Sequence, residues 1–230
     1  MMPYERLSWD SDFFGFEVYR IQHGHADVAQ CLSALKGKAR LVYLAAGVET
    51  PTTLLEAYNG RLVDIKTTFE KNVEGPGPLS PFISSYTTDP PEETLIRLGI
   101  ESGVYSRFKV DDHFEEDQYK ELYRLWVINS ANRKIAREVL VYRRQEQLSG
   151  LITLGEKGGK GDIGLVAVDP ASRGKGVGMA LMAAAEAWSR QQGYHQLQVV
   201  TQGANTPACN LYQKCGFHIA RIEYFYHFWL

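Results

Sequence analysis

The chain has 230 residues, of which 44% are hydrophobic, and its 25 Lys and Arg against 27 Asp and Glu leave a formal net charge of -2. That length and composition build a normal core, and the balanced charge excludes the global basic excess of a nucleic-acid or anionic-membrane binder. Three cysteines, Cys31, Cys209 and Cys215, are too few and too unevenly spaced for a disulfide framework or a zinc site.

The opening "MMPYERLSWDSDFF" has no apolar run of the signal-peptide kind, and no stretch reaches the ~18 to 20 apolar residues of a spanning helix. A cytoplasmic protein is expected, with neither nucleic acid nor membrane as partner. "LVYLAAGV" and "RLVDIKTTFEKNV" read as strands, with a helix around Thr53 to Tyr58 between them. Gly and Pro then cluster in "EGPGPLSPF", Glu74 to Phe82, which places a boundary between a small N-terminal α/β domain, 1–85, and a second domain, 86–230.

In the second domain Tyr119, Leu122, Tyr123 and Trp126 recur at i, i+3, i+4 and i+7 behind the acidic "EED", so a helix is expected there. "EVLVYRR", "SGLITLGE" and "DIGLVAV" follow as an antiparallel meander joined by polar turns. After Asp169-Pro170 comes "RGKGVGMALMAAAEAW", a helix whose buried face carries Leu181, Ala185 and Trp188 and which stops near Gly193. The strand "QLQVVT", a helix from Thr206 to Lys214 stopped by Gly216, and the aromatic strand "RIEYFYHFW" complete the chain. The fold class is α/β, of the α+β type.

Gly174, Gly176 and Gly178 stand at the start of that Ala-rich helix, where unpaired N–H groups and the helix dipole attract an anion. Glycine removes the Cβ atoms that would block its approach, while Arg173 and Lys175 add charge at the rim. A P-loop would need Lys-Ser or Lys-Thr after the last glycine. A dinucleotide fingerprint would need another spacing and an acid on the next strand, where Gln196 and Gln198 stand. Taken alone, the motif also fits a glycine-rich surface turn.

Its surroundings decide between the two. "DIGLVAV", "DPASRGKGVG", a helix and "QLQVVTQGANTPACNLYQKCGF" resemble the acetyl-CoA-binding core of the GNAT acetyltransferases. The family's R/Q-x-x-G-x-G/A loop matches Arg173-Gly174-Lys175-Gly176-Val177-Gly178, and its N-x-x-A-x-x-L-Y-x-x-x-G-F pattern matches Asn205, Ala208, Leu211, Tyr212, Gly216 and Phe217. The resemblance covers roughly Ser106 to Tyr226 and implies the acyl-CoA N-acyltransferase fold. It also implies a splayed strand pair, one ending near Val168 and the other running through Val199 and Val200. Backbone groups at Leu165, Val166 and Val168 would then meet the pantetheine, loop amides from Arg173 to Gly178 the pyrophosphate, and Asn205 and Asn210 the cofactor. Tyr212 is where the family commonly places the acid that protonates the departing thiolate, a role suited to a phenol that stays protonated at neutral pH. Asn205 also suits a helix N-cap.

For a general base, Asp64 and Glu70 are the candidates. "LSWDSDFFGFEVYRI", "RLVDIKTTF" and "SRFKVDDHFEEDQYKELYRLWVINS" are similar to the TDP-fucosamine acetyltransferases, which implies acetylation of the 4-amino group of dTDP-4-amino-4,6-dideoxygalactose. Ser106, Arg107 and Phe108 are the expected acceptor contacts, Arg107 on the pyrophosphate and Phe108 or a tyrosine against the thymine. The alternatives are an acetyltransferase of another small amine or of a protein N-terminus, and a CoA-binding sensor without turnover. The six histidines show no ligand spacing, so no metal is expected. The tail "EYFYHFWL" reads either as an exposed patch, through which a homodimer would form, or as a strand packed on both faces.

Overall fold

The computed structural model describes residues 3–22, 27–47, 50–73, 75 and 79–230. In chain order the elements begin with β1 (Tyr4–Arg6), α1 (Ser8–Phe14), β2 (Val18–Ile21), α2 (Val28–Leu35), β3 (Leu41–Ala46), α3 (Thr52–Ala57) and β4 (Gly60–Asn72). They continue with β5 (Ile83–Ser85), α4 (Glu93–Ser102), α5 (Arg107–Val110), α6 (Glu116–Ala131), β6 (Glu138–Arg144), β7 (Gln147–Lys157) and β8 (Lys160–Val168). A 3-10 turn (Pro170–Ser172) precedes α7 (Val177–Gln191), β9 (Gln196–Gln202), α8 (Thr206–Lys214) and β10 (His218–Trp229).

Two compact units share these elements. One holds Met1–Lys66, Gln202–Ala204 and Ile222–Leu230, the other Thr67–Thr201 and Asn205–Arg221. The division therefore falls inside β4, at Lys66 and Thr67, and the end of β10 belongs to the first unit, whereas the Gly and Pro cluster had suggested a single cut near residue 85. Within that cluster Glu74, Pro76, Gly77 and Pro78 lie outside the described residues, as do His23 and His25.

In the first unit the strand order is β1-β2-β3-β10-β4. β2 and β3 are parallel and joined through α2, while β10 runs antiparallel to β3 with His227 opposite Tyr43. Leu32 and Leu35 of α2 pack with Ile21, Val42, Leu44, Tyr226 and Phe228. Phe225 and His227, on alternate positions of β10, are buried as well, so the aromatic tail is a strand packed on both faces and not an exposed patch.

In the second unit the order is β4-β9-β8-β7-β6-β5. Alternation along the central strands sends Leu140, Ile152 and Leu154 to one face, against Leu181 and Ala185 of α7 and Tyr212 of α8. Val139, Val141 and Leu151 go to the other, against Leu95 and Leu98 of α4 and Val127 of α6. The capping box of α6 joins Glu115 and Gln118. Its buried stripe is Tyr119, Leu122, Tyr123 and Val127, with Trp126 half-buried.

Candidate active-site cleft

Two local irregularities open the sheet. Among the described residues β8 pairs in parallel with β9 only at Gly161, Asp162 and Ile163, ending opposite Val199, so the β9-facing edge of the rest of β8 has no strand partner among them. On its other side β8 is bulged against β7, where Ile163 and Val166 bracket Gly164 and Leu165 while Leu154 and Ile152 bracket Thr153 alone. The Thr153 hydroxyl accepts the Leu165 N–H at 2.8 Å. A Cβ on Gly164 would stand 2.8 Å from that Oγ1, which is why glycine sits there.

Beyond β8 the Asp169 side chain caps the 3-10 turn by accepting the Ala171 N–H at 3.0 Å. Gly174 and Gly176 then adopt the left-handed region at φ 73° and 82°. Their purpose is to turn the chain so that its amides point outward. The N–H groups from Gly174 to Met179 have no hydrogen-bond acceptor among the described residues, and the first in-turn bond of α7 is Ala180 N–H to the Gly176 carbonyl at 3.0 Å. Such a run of open amides at a helix N-terminus is a cradle for an anion.

The cradle belongs to a cleft of about 540 Å³, lined by Val166, Ala167 and Val168 of β8, the loop through Gly178 and Met179, Asn205 to Lys214 of α8, and Glu101 to Tyr105. At Gly178 a Cβ would lie 3.1 Å from Leu211 Cδ2, so glycine here lets α7 approach α8. The Asn205 Oδ1 atom accepts the Ala208 N–H at 3.2 Å as the N-cap of α8. Tyr212 lines the cleft although only 4% exposed, its ring against Phe69 and Phe217 at centroid distances of 5.5 and 6.1 Å. Burial, with Cys209 and Cys215 nearby, pushes its phenol above the ordinary range, so it keeps its proton.

The cleft brings together Val166, Val168, Arg173, Gly174, Gly176, Val177, Gly178, Asn205, Asn210 and Tyr212. Other expected residues lie elsewhere. Leu165 is packed beside the buried cluster on the α4 side, its N–H is taken by Thr153, and it does not line the cleft, which leaves its carbonyl as the group for the expected pantetheine contact. Lys175 is exposed and does not line the cleft. Asp64 falls in the first unit, and the Glu70 carboxylate accepts from Lys160 Nζ at 2.6 Å. Ser106 and Phe108 are both 3% exposed. The Phe108 ring meets Phe114 and Trp126 edge-on, and the Arg107 guanidinium covers it at 4.2 Å, so no ring face is left for a base.

The wall contributed by α4 was missed. Its sequence signal was Leu95, Ile96 and Leu98 behind Pro91, Glu92 and Glu93, an acidic start followed by apolar residues. Also unanticipated, Asp111, Asp112 and His113 bring their ligand atoms within 4.8 Å of one another, with His113 Nδ1 2.8 Å from Asp111 Oδ1. Among the described residues no helix is long and apolar enough to cross a membrane.

Comparison with known proteins agrees with this geometry. Over 144 residues, 61% of the chain, it is 28% identical to the spore coat polysaccharide biosynthesis protein SpsD of Bacillus subtilis, and spans half of that protein's length. Over 60 residues it is 40% identical to a streptothricin acetyltransferase of Escherichia coli, covering 34% of it. Among solved structures, a GCN5-related N-acetyltransferase from Sphaerobacter thermophilus superposes with a TM-score of 0.57 over 97% of this chain and 75% of the other at 16% identity, a likeness of fold. The acetyltransferase (GNAT) family model matches residues 103–217, half of the chain, covering the cradle, β8, β9 and Tyr212. With its bulged β8, parted strands and open helix N-terminus, the chain belongs to the GNAT acetyltransferase family.

Proposed function

We propose that the protein transfers the acetyl group of acetyl-CoA to the amine of a nucleotide-linked amino sugar used in polysaccharide synthesis, with dTDP-4-amino-4,6-dideoxygalactose as the acceptor to test first. The observation that carries the donor half is the run of six open amides beside a cleft that also contains Tyr212. The residues fit the donor chemically: amides of a helix N-terminus suit a pyrophosphate, and the open edge of β8 suits the amides of pantetheine. The likeness to SpsD supports the acceptor half, because it extends over more of the chain than the family model does.

The acyl donor supplies an activated carbonyl and, as the new N–C bond forms and the C–S bond breaks, a thiolate that needs a proton. Tyr212 is the proposed source of that proton. It is held by two aromatic contacts, kept neutral by burial, and placed on the same helix as the Asn205 cap. Acceptor contacts are proposed at Val104 and Tyr105, which line the cleft, and at Arg107 on the same segment. Glu70 is already paired with Lys160, so it would receive the ammonium proton only with that ion pair opened.

Incubation with acetyl-CoA and a panel of amines, following free thiol and product mass, tests this reading. The panel comprises the dTDP amino sugar, the same sugar without its nucleotide, and a peptide with a free N-terminus. Thiol release dependent on the nucleotide sugar is expected. Equal release with the free sugar, or release with the peptide alone, overturns the acceptor assignment, and failure to bind CoA overturns the donor assignment.

A further inference from the structure

Glu101 places a carboxylate in the wall of a cleft whose other polar features favour anions. It is held there deliberately. Arg97 donates from Nη1 to Glu101 Oε1 at 2.9 Å and from Nη2 to Asp169 Oδ2 at 2.8 Å, which ties α4 to the residue that caps the turn before the cradle. The second carboxylate oxygen, Oε2, is buried and accepts no hydrogen bond. Arg173 Nη2 stands 3.8 Å from it, beyond hydrogen-bond reach but within ion-pair range. Arg173 is otherwise anchored by Nε, which donates to the Val168 carbonyl at 3.1 Å, and its side chain is 63% exposed.

A buried carboxylate oxygen without a hydrogen bond is costly. The arrangement makes sense if that oxygen occupies Arg173 in the absence of a ligand. We infer that Glu101 is a stand-in for the ligand's phosphate: it holds Arg173 against the α4 wall until an anion in the cradle takes the guanidinium over, and so sets donor affinity by competition. This rests on the donor half of the proposed function and goes beyond it. Competition weakens the complex with spent CoA, which favours product release. Arg97 is the positioning residue, since its fork fixes where the carboxylate stands.

Calorimetric titration with CoA of wild type, Glu101→Gln, Arg173→Gln and the double variant tests the inference. Glu101→Gln should tighten CoA binding about three- to tenfold, and that gain should vanish in the Arg173→Gln background, the non-additivity expected of a shared partner. Glu101→Asp should return the affinity toward wild type. A merely structural Glu101 would instead lose affinity together with melting temperature. Unchanged or weaker binding in Glu101→Gln, or a gain that survives without Arg173, overturns the inference while leaving the donor assignment intact. Absence of CoA binding by wild type overturns both. Glu101→Ala serves in its place if circular dichroism shows that the Gln variant does not fold.

Discussion

Replacing Gly176 by alanine separates two consequences of one backbone conformation. Its φ is 82°, and an ideal Cβ built there meets no atom within 4 Å, so the substitution creates strain without a clash. Gly158, in the β7–β8 hairpin, has φ 63° and equally open space, and therefore serves as a matched control. A left-handed conformation costs an L-residue about 1–2 kcal/mol. At about 2–4 °C per kcal/mol for a chain of this size, each variant should melt about 2–8 °C below wild type. Only Gly176 lines the cleft, however, and relaxation of its strain would rotate the amides of the cradle. A hydrogen bond to a charged group contributes about 1.5–3 kcal/mol, so displacing one amide should weaken CoA binding roughly tenfold to a hundredfold. Differential scanning fluorimetry gives the melting shift, and calorimetric titration with CoA the affinity. If Gly176→Ala binds CoA as tightly as Gly158→Ala does, the amides at the start of α7 are not where the anion sits.

Tyr212→Phe keeps the ring contacts with Phe69 and Phe217 and should lower turnover about 100- to 10,000-fold with little change in KM for acetyl-CoA, as expected for a general acid. Because burial raises this pKa, the neutral phenol persists to higher pH, and wild-type turnover should show no alkaline limb near pH ~10 attributable to Tyr212. A fully active Phe variant, or such a limb that the variant abolishes, contradicts the role. Thr153→Val should strand the Leu165 N–H at the bulge and cost about 1–3 kcal/mol in urea unfolding, whereas Thr153→Ser retains the hydroxyl and most of the stability. Equal stability of the two would show that the hydroxyl does not hold the bulge.

The stretch from α6 to α8 was legible because local rules suffice there. Strong helical and strand periods, polar turns and the glycine loop each act within a few residues, and the expected strand "EVLVYRR" coincides with β6, Glu138–Arg144. The glycines were expected to bare the backbone for an anion, and the structure adds local reasons of its own, positive φ at Gly174 and Gly176 and close packing of Gly178 on Leu211. α4 was missed although it forms the cleft wall. Its Gly99 resembles a helix breaker, yet a Cβ there would come within 1.9 Å of Val127 Cγ2, so the glycine exists to let α4 lie against α6. That requirement belongs to a partner 28 positions away and leaves no local period. Phe108 illustrates the opposite error, a side chain assigned to a ligand on the strength of its neighbours and then found enclosed by Phe114 and Trp126.

The parting of β8 from β9 shows most clearly where sequence reading must stop. Apart from its glycine, "DIGLVAV" does not distinguish a strand paired along its length from one that leaves its neighbour after Ile163. The cause sits on β7, where Thr153 is the single residue opposite Gly164 and Leu165 and its hydroxyl occupies the Leu165 N–H. An extra residue on one strand bends it and increases its local twist, so a bulge beside β7 helps carry the end of β8 away from β9. The trace left in the sequence is Gly164, because any side chain there would displace the Thr153 hydroxyl. A glycine inside an otherwise apolar strand therefore marks the place where the sheet opens, but its meaning depends on a threonine in a different strand. Restoring a Cβ at that position, in Gly164→Ala, acts on the same contact as Thr153→Val from the other side. The two substitutions should consequently be non-additive, with the double variant little less stable than the worse single one, and full additivity would place the origin of the bulge elsewhere.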